Sequence, residues 1–316
     1  MMDFSDNFKR SEQLQTPVLF IIFNRPETTA AVFEAIRRAR PACLYIVADG
    51  PREHVPEDFE KCQLARQVTD KIDWPCSVER LYSEHNLGCG KRPASGISWV
   101  FEQVDEAIIL EDDCLPDPTF FFYCRELLER YRNDERIMHI AGNNRGFSQA
   151  SCSDSYYLSL LPYCWGWATW KRAWRRFDYE LSHWPATERE GTLRKLLPDR
   201  RTTKFWSARF ADLYDIKEKD IWDYQWTFAC WIYGGLAAVP NVNLVRNIGF
   251  DNNATHTLTA EPSLVNLVAR SIAFPLIHPH RIDADTVVDG RAFREFQRGR
   301  FARLFDRVKS SIWSSD

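Results

Sequence analysis

Ala107-Ile108-Ile109-Leu110-Glu111-Asp112-Asp113 is the stretch that decides the fold. Its four apolar residues have the length and β-branched content of a buried strand. Three carboxylates follow with no turn residue between, so the strand runs straight out of an apolar interior into charge. The same pattern occurs upstream. Pro17-Val-Leu-Phe-Ile-Ile-Phe23 ends at Asn24-Arg25-Pro26, and Cys43-Leu-Tyr-Ile-Val-Ala48 ends at Asp49-Gly50-Pro51. Helical spacing fills the intervals. Val32, Phe33 and Ile36 share a face that Thr28 or Thr29 can cap, and Phe59, Cys62, Ala65, Val68 and Ile72 share another within 57–73. Ser77–Tyr82 reads as a further strand. After the loop 85–92 comes a helix carrying Ile97, Val100, Phe101 and Val104. Strands alternating with helices imply an α/β, Rossmann-like, doubly wound and mainly parallel sheet. Such sheets bind ligands beyond the carboxyl ends of their strands, where Arg25, Asp49 and the 111–113 acids lie.

The second half is less regular. A helix is expected at 120–131, a strand at 136–142, a Trp-rich block at 163–174, a loop or short helices at 185–204, an aromatic stretch at Trp222–Tyr233 and a strand at Leu236–Pro240. Asn247–Thr257 has loop composition. With no repeat or linker, the reading is a polar leader (1–16), one domain (17–285) divided at 142/143 into a strand-rich half and an irregular half that completes the site, and a basic amphipathic helix (286–316).

The 316 residues carry 41 Lys+Arg against 44 Asp+Glu, a net charge of −3, with 45% hydrophobic and 27% charged residues. This is the composition of an ordinary globular chain. It excludes collagen, coiled coil and wholesale disorder, and it lacks the basic field that sequence-independent nucleic-acid binding needs. Nine cysteines without a CxxC favour reduced thiols over a disulfide framework or a zinc ribbon. The leader has no signal-peptide apolar core, and no apolar run reaches the ~18 residues of a membrane span. A cytoplasmic location is therefore expected.

Acids make up 44 of 316 residues, so a run of three arises by chance about once in such a chain. What makes Glu111-Asp112-Asp113 informative is its place at a strand end. Clustered carboxylates raise one another's pKa unless a cation joins them, and hard oxygens suit Mg²⁺ or Mn²⁺. Arg25 and the loop 85–92, with Arg92, can contact phosphate. The P-loop pattern fails there, because His85 and Arg92 stand where it needs Gly and Ser or Thr. Asp49 beside Gly50 fits either a turn acid or a contact to a nucleotide base. Trp165, Trp167, Trp170 and Trp174 can stack on sugar or pack the core. Asp223, within Trp222-Asp-Tyr-Gln-Trp226, can act as a general base with a raised pKa or be held by a cap or an arginine. His256 is a candidate metal or phosphate contact. Residues 291–309 interleave Arg with Phe, as a docked terminal helix or a membrane-surface helix would.

In this order the motifs resemble the GT-A nucleotide-sugar glycosyltransferases, in particular the N-acetylglucosaminyltransferase I type and its bacterial relatives. The pieces are Ile-Phe-Asn-Arg25, Ala-Asp49-Gly, His85, Ile-Leu-Glu-Asp-Asp113, Pro162-Tyr-Cys-Trp-Gly-Trp167 and Trp222-Asp223, spread over residues 17–257. The resemblance implies a metal-dependent, inverting transfer of a sugar, GlcNAc being one candidate, from a UDP-sugar to a glycan, lipid-linked or protein acceptor. Arg25 would contact the diphosphate, with Arg92 and Trp167 also at the donor. Asp49 and His85 would hold the uracil. Glu111 and Asp112 would face sugar and ribose, Asp113 with His256 would bind Mn²⁺ or Mg²⁺, and Asp223 would be the base. The loop 247–257 would close over the donor. Two departures stand out. Tyr224 replaces a second Asp of the family, and the membrane anchor of the eukaryotic enzymes has no counterpart. A lipid-linked acceptor would bring the basic C-terminal helix to the inner membrane face. A nucleotidyltransferase, a metal phosphohydrolase or a non-catalytic sugar- or partner-binding module would use the same acids differently.

Overall fold

A computed structural model describes residues 13–148, 153–216, 219–249 and 267–297. Parallel strands β1 (Val18–Ile22), β2 (Cys43–Ala48), β3 (Ser77–Tyr82) and β4 (Glu106–Glu111) form one half of an eight-stranded sheet. Its other half is built from β6 (Ile137–Ala141), β7 (Tyr156–Ser159), β8 (Trp167–Trp170) and β9 (Leu236–Pro240), giving the order β3-β2-β1-β4-β8-β6-β9-β7. Only β8 and β7 run against the rest. A two-stranded ribbon pairs β5 (Cys114–Pro116) with β10 (Val245–Asn247), so that Asn247 lies opposite Cys114.

The double winding is visible residue by residue. Side chains alternate across a strand, so Leu19 and Ile21 join the core on one face while Val18, Phe20 and Ile22 join the core on the other. Every residue of β1 is buried, which is why the strand reads as a continuous apolar run. The second face is covered by α1 (Pro26–Ala39), α2 (Glu57–Val68) and α4 (Thr119–Arg130). The first is covered by α3 (Gly88–Gln103), α5 (Lys171–Trp174), α6 (Trp184–Glu190), α7 (Thr192–Leu196), α8 (Arg200–Asp215) and α9 (Asp223–Ile232). Truncating one of these core side chains to Ala should cost about 2–5 kcal/mol.

Several expectations shift. Helix α1 starts at Pro26, with Arg25 at the N-cap position, rather than at Thr28 or Thr29. Proline suits the first helical position because that N–H is unpaired in any case. Phe59 is 62% exposed, because α2 turns Asp58 inward to pair with Arg52 and Asn24. Strands β7, β8 and β10 lie in stretches whose aromatic and polar residues hid the alternation. Residues 200–215, eleven of which lie beyond the stretch read as loop or short helices, form the 16-residue α8, capped by the Asp199 side chain on Thr202 N–H.

Of the expected C-terminal helix, 286–297 is helical and is numbered α10; the remainder lies outside the described residues. Val288, Ala292 and Phe293 are buried, and Asp289 accepts from the Leu160 N–H at 2.8 Å. This stretch is therefore docked on the body. Among the described residues no helix is long and apolar enough to cross a membrane.

Candidate active site

Because β1, β2 and β4 are parallel and adjacent, their carboxyl ends open onto one edge. There a cleft of about 740 Å³ is lined by Phe23, Arg25, Asp49, Arg52, Asn86, Arg92, the acids 111–113, Trp165, Arg209, Trp222, Asp223, Tyr224 and Asn247. Chain segments more than a hundred residues apart thus share one wall.

Glu111 is the last residue of β4. Burial pushes its carboxyl well above the usual range, and the negative charges of Asp113, Asp112 and Asp223 add to this. Asp112 turns inward, 8% exposed, and accepts from the Phe23 N–H at 2.9 Å, tying β4 to the end of β1. Burial, then the Asp113 charge, raise it to about 7. Asp113 faces the lip. Its Oδ2 lies 3.4 Å from Arg25 Nη1, with side chains 20% and 17% exposed.

The ribbon explains why the 247–249 segment lies there. The Ile248 N–H donates to the Asp113 carbonyl at 2.8 Å, and the Gly249 N–H to the Asn247 side chain at 2.8 Å. A Cβ on Gly249 would sit 2.5 Å from Asp113 Oδ2 and 2.6 Å from Arg25 Nη1. Glycine is needed at that position so that the chain can cradle the pair.

Asp49 is buried at the end of β2, and its two oxygens are heavily engaged. Oδ1 accepts from the Gly50 and Leu87 N–H groups, both at 2.9 Å. Oδ2 accepts from the Gly88 N–H at 3.0 Å and from Asn86 Nδ2 at 3.1 Å. Burial still raises its pKa, against the pull of those N–H groups and of the Arg92 charge. The carboxylate organises the loop that enters α3. That loop presses on Gly50, where a Cβ would meet the His85 backbone at 2.5 Å. The His85 side chain is exposed and is not among the residues lining the cleft; its neighbour Asn86 is. Both N–H groups of the Asn86 amide are spent, on Asp49 and on the Gly50 carbonyl at 2.9 Å, which leaves Oδ1 as its acceptor. Arg92 is buried, donates to the Leu81 carbonyl at 3.0 Å and faces Asp49.

Asp223 opens α9, where the positive end of the helix dipole favours an acid. Its charge bears on both Glu111 and Cys164. Trp167, expected at the donor, is instead 0% exposed in the core. It stacks on His139 at 4.9 Å and on Trp222 at 5.6 Å, because its position in β8 faces α9. The indoles at the cleft are those of Trp165, two residues earlier in the turn, and of Trp222. His256 and residues 250–257 of the expected closing loop lie outside the described residues.

Arg52, Arg209 and Tyr224 line the cleft without having been singled out for a ligand-contact role by the sequence pattern, while Asn86 was covered only by the loop 85–92 and Trp165 only as one of four tryptophans that could stack on sugar. The signal for Asn86 was its place beside Gly88 and His85. Arg209 carried none, since its helix was not foreseen.

Among the described residues no group of three or more His, Cys, Asp or Glu side chains is arranged to hold a metal. The donor set nevertheless suits Mg²⁺ or Mn²⁺ in another mode. Such ions commonly take one or two carboxylates and complete their shell with water and substrate phosphates, and Asp113 offers one carboxylate at the lip.

No family model matches the chain, and no curated protein matches it. Solved structures do. The mannosyltransferase PcManGT from Pyrobaculum calidifontis, in complex with GDP-Man and Mn²⁺, is 9% identical, with 70% of this chain and 71% of that one covered and a TM-score of 0.39. Mouse xyloside xylosyltransferase 1 is 11% identical, with 71% and 85% covered and a TM-score of 0.37. A UDP-glucose pyrophosphorylase complexed with UDP-glucose is 11% identical, with 72% and 90% covered and a TM-score of 0.32. The chemistry assigned to this chain below therefore rests on its own residues.

Proposed function

We propose that this chain is a metal-dependent glycosyltransferase that moves a sugar from a nucleotide-sugar to an acceptor hydroxyl with inversion. The observation that carries the reading is one cleft with the Arg25–Asp113 pair at its lip and Asp223 in the same wall, near enough for its charge to bear on Glu111. The donor's base would lie against Phe23, Arg52 and Asn86, in the loop that Asp49 organises. Its diphosphate would lie at Arg25, with Glu111 and Asp112 toward sugar and ribose. A uridine nucleotide carrying an N-acetylhexosamine is the donor that fits the motif resemblance.

Asp113 would hold Mn²⁺ or Mg²⁺ together with the diphosphate oxygens, and the ion supplies Lewis-acid compensation for charge on the leaving group. The guanidinium of Arg25 offsets the same charge. Asp223 takes the proton from the acceptor hydroxyl as its oxygen attacks the anomeric carbon. The bond from that carbon to the diphosphate oxygen breaks in the same displacement, so no covalent enzyme intermediate forms and the configuration inverts. Such a base contributes about 10²–10⁴-fold.

UDP-, GDP- and dTDP-sugars offered with Mn²⁺ test the assignment by what is released. Free nucleoside diphosphate together with a glycosylated acceptor supports it. Release of pyrophosphate or orthophosphate assigns nucleotidyl transfer or hydrolysis instead. Absence of any metal-linked nucleotide binding leaves a non-catalytic module.

A further inference from the structure

Among the described residues four arginines line the cleft, and three have a polar acceptor. Arg25 has the Asp113 carboxylate, Arg52 has Asp58, and Arg92 has the Leu81 carbonyl. Arg209 differs. It lies on α8 three residues beyond the buried Trp206, at the edge of the helix's inward face. Its Nε–H is buried and meets no hydrogen-bond acceptor. The same is true of the Arg92 Nε, but Arg92 donates through Nη2, whereas no atom of the Arg209 guanidinium has an acceptor among the described residues. The guanidinium sits over the Tyr224 ring, 5.9 Å from its centroid, and forms no ion pair with Asp212 one turn on, although both line the cleft.

A buried N–H without an acceptor is unfavourable, and native structures rarely keep one unless water, an ion or a ligand supplies the partner; at the wall of an open cleft a ligand can do so. Cation–π contact engages the face of a guanidinium and leaves its edge, the five-donor fork, for other groups. That fork matches two oxygens of a carboxylate or a phosphate. Position argues that this anion is not the donor's diphosphate. Tyr224 follows Asp223 directly, so Arg209 stands with the base, whereas Arg25 and Arg92 stand at the strand ends.

The geometry points to Arg209 as the anchor for an anionic acceptor, one carrying a carboxylate or phosphate close to the hydroxyl that is glycosylated. This rests on the proposed transferase reading and narrows its acceptor class. Asp223 would still take the hydroxyl proton, and Arg209 would fix the orientation of that hydroxyl through the neighbouring charge.

The test measures acceptor binding by calorimetry on the full chain with UDP and Mn²⁺ saturating the donor end. The probes are a neutral methyl hexoside, a hexuronate and a hexose 6-phosphate. Expected is at least tenfold tighter binding of one anionic sugar than of the neutral one, the tighter of the two identifying the anion. Arg209→Gln should abolish that preference and leave UDP affinity within twofold. Arg209→Lys, which keeps the charge and loses the fork, should retain part of it. Equal binding of neutral and charged sugars, a preference that survives Arg209→Gln, or a tenfold loss of UDP affinity in that variant each overturns the proposal. If UDP itself does not bind the unaltered protein, the transferase reading fails; the same sugar panel without UDP then still decides whether Arg209 selects anions.

Discussion

Gly249→Ala adds one methyl group at the lip of the cleft and nothing else, since the residue does not occupy the left-handed region that alanine avoids. The new Cβ would lie 2.5 Å from Asp113 Oδ2, 2.6 Å from Arg25 Nη1 and 2.8 Å from Asp113 Cβ, where ordinary contact begins at 3.4 Å. The first two atoms end flexible side chains and can swing aside. The third cannot, because Asp113 sits in the two-residue turn between β4 and β5 and its carbonyl holds the Ile248 N–H at 2.8 Å. Overpacking of this kind typically costs about 1–3 kcal/mol. Here it falls on the pair that would grip metal and diphosphate, so UDP binding in Mn²⁺ should weaken roughly 10–100-fold at about 1.4 kcal/mol per decade. The melting temperature should fall by only a few degrees, because the strain relaxes at the cleft edge rather than in the core. Isothermal titration of UDP with Mn²⁺, alongside a thermal melt, reads both quantities. A Gly249→Ala protein that binds UDP as tightly as the parent would refute the cradle.

Other perturbations separate the remaining roles. Asp223→Asn should lower sugar transfer by about 10²–10⁴-fold with donor affinity within a few-fold; a near-parental rate removes it as the base. Because Asn86 has only an acceptor to offer, 3-methyluridine diphosphate, which lacks the N3 proton, should bind at least tenfold more weakly than UDP. Asn86→Ala should erase that difference, and equal affinities for the two ligands would remove Asn86 from base recognition. His139 is buried, takes the Trp226 N–H on Nδ1 at 3.1 Å and lies 2.9 Å from the Tyr163 carbonyl through Nε2, and burial lowers its pKa to about 3. The folded state therefore refuses a proton that the unfolded chain accepts near 6.5. Stability is fully present above that value and falls as pH drops from about 6.5 to about 3, by up to ~1.4 kcal/mol per pH unit. Urea midpoints at pH 7 and 4.5 should show a smaller drop in His139→Gln than in the parent, and identical drops would contradict the assignment.

Within the parallel half, β1, β2 and β4 were legible because they are buried on both faces, whereas β3 at the sheet edge has no buried residue. Those three are continuous apolar runs, and at or just beyond their ends stand residues of the cleft: Arg25, Asp49, Glu111. In the other half β6 and β9 were foreseen, but the two antiparallel strands, β7 and β8, were not. Strand β8 is Trp-Ala-Thr-Trp, whose aromatics fitted either a sugar platform or the core in sequence, and both pack the core. The polar, basic stretch that became α8 presents an inward face of only Thr202, Trp206, Phe210 and Leu213. Within the site, the triple acid announced itself by its place at a strand end. Asn86 and Arg209 could not, since their roles depend on which distant segment each one meets. Asp49 shows the limit from the other side. Its position was foreseen, but only the structure shows that its carboxylate is taken up by four donors from its own and the following loop.

The most direct trial of the central claim is calorimetry of UDP with the unaltered protein and with Asp113→Asn, each with and without Mn²⁺. The account predicts that Mn²⁺ tightens UDP binding in the unaltered protein at least tenfold, and that Asp113→Asn removes this enhancement while keeping the metal-free affinity. Metal-independent binding in the parent, or an enhancement that persists in Asp113→Asn, would contradict it.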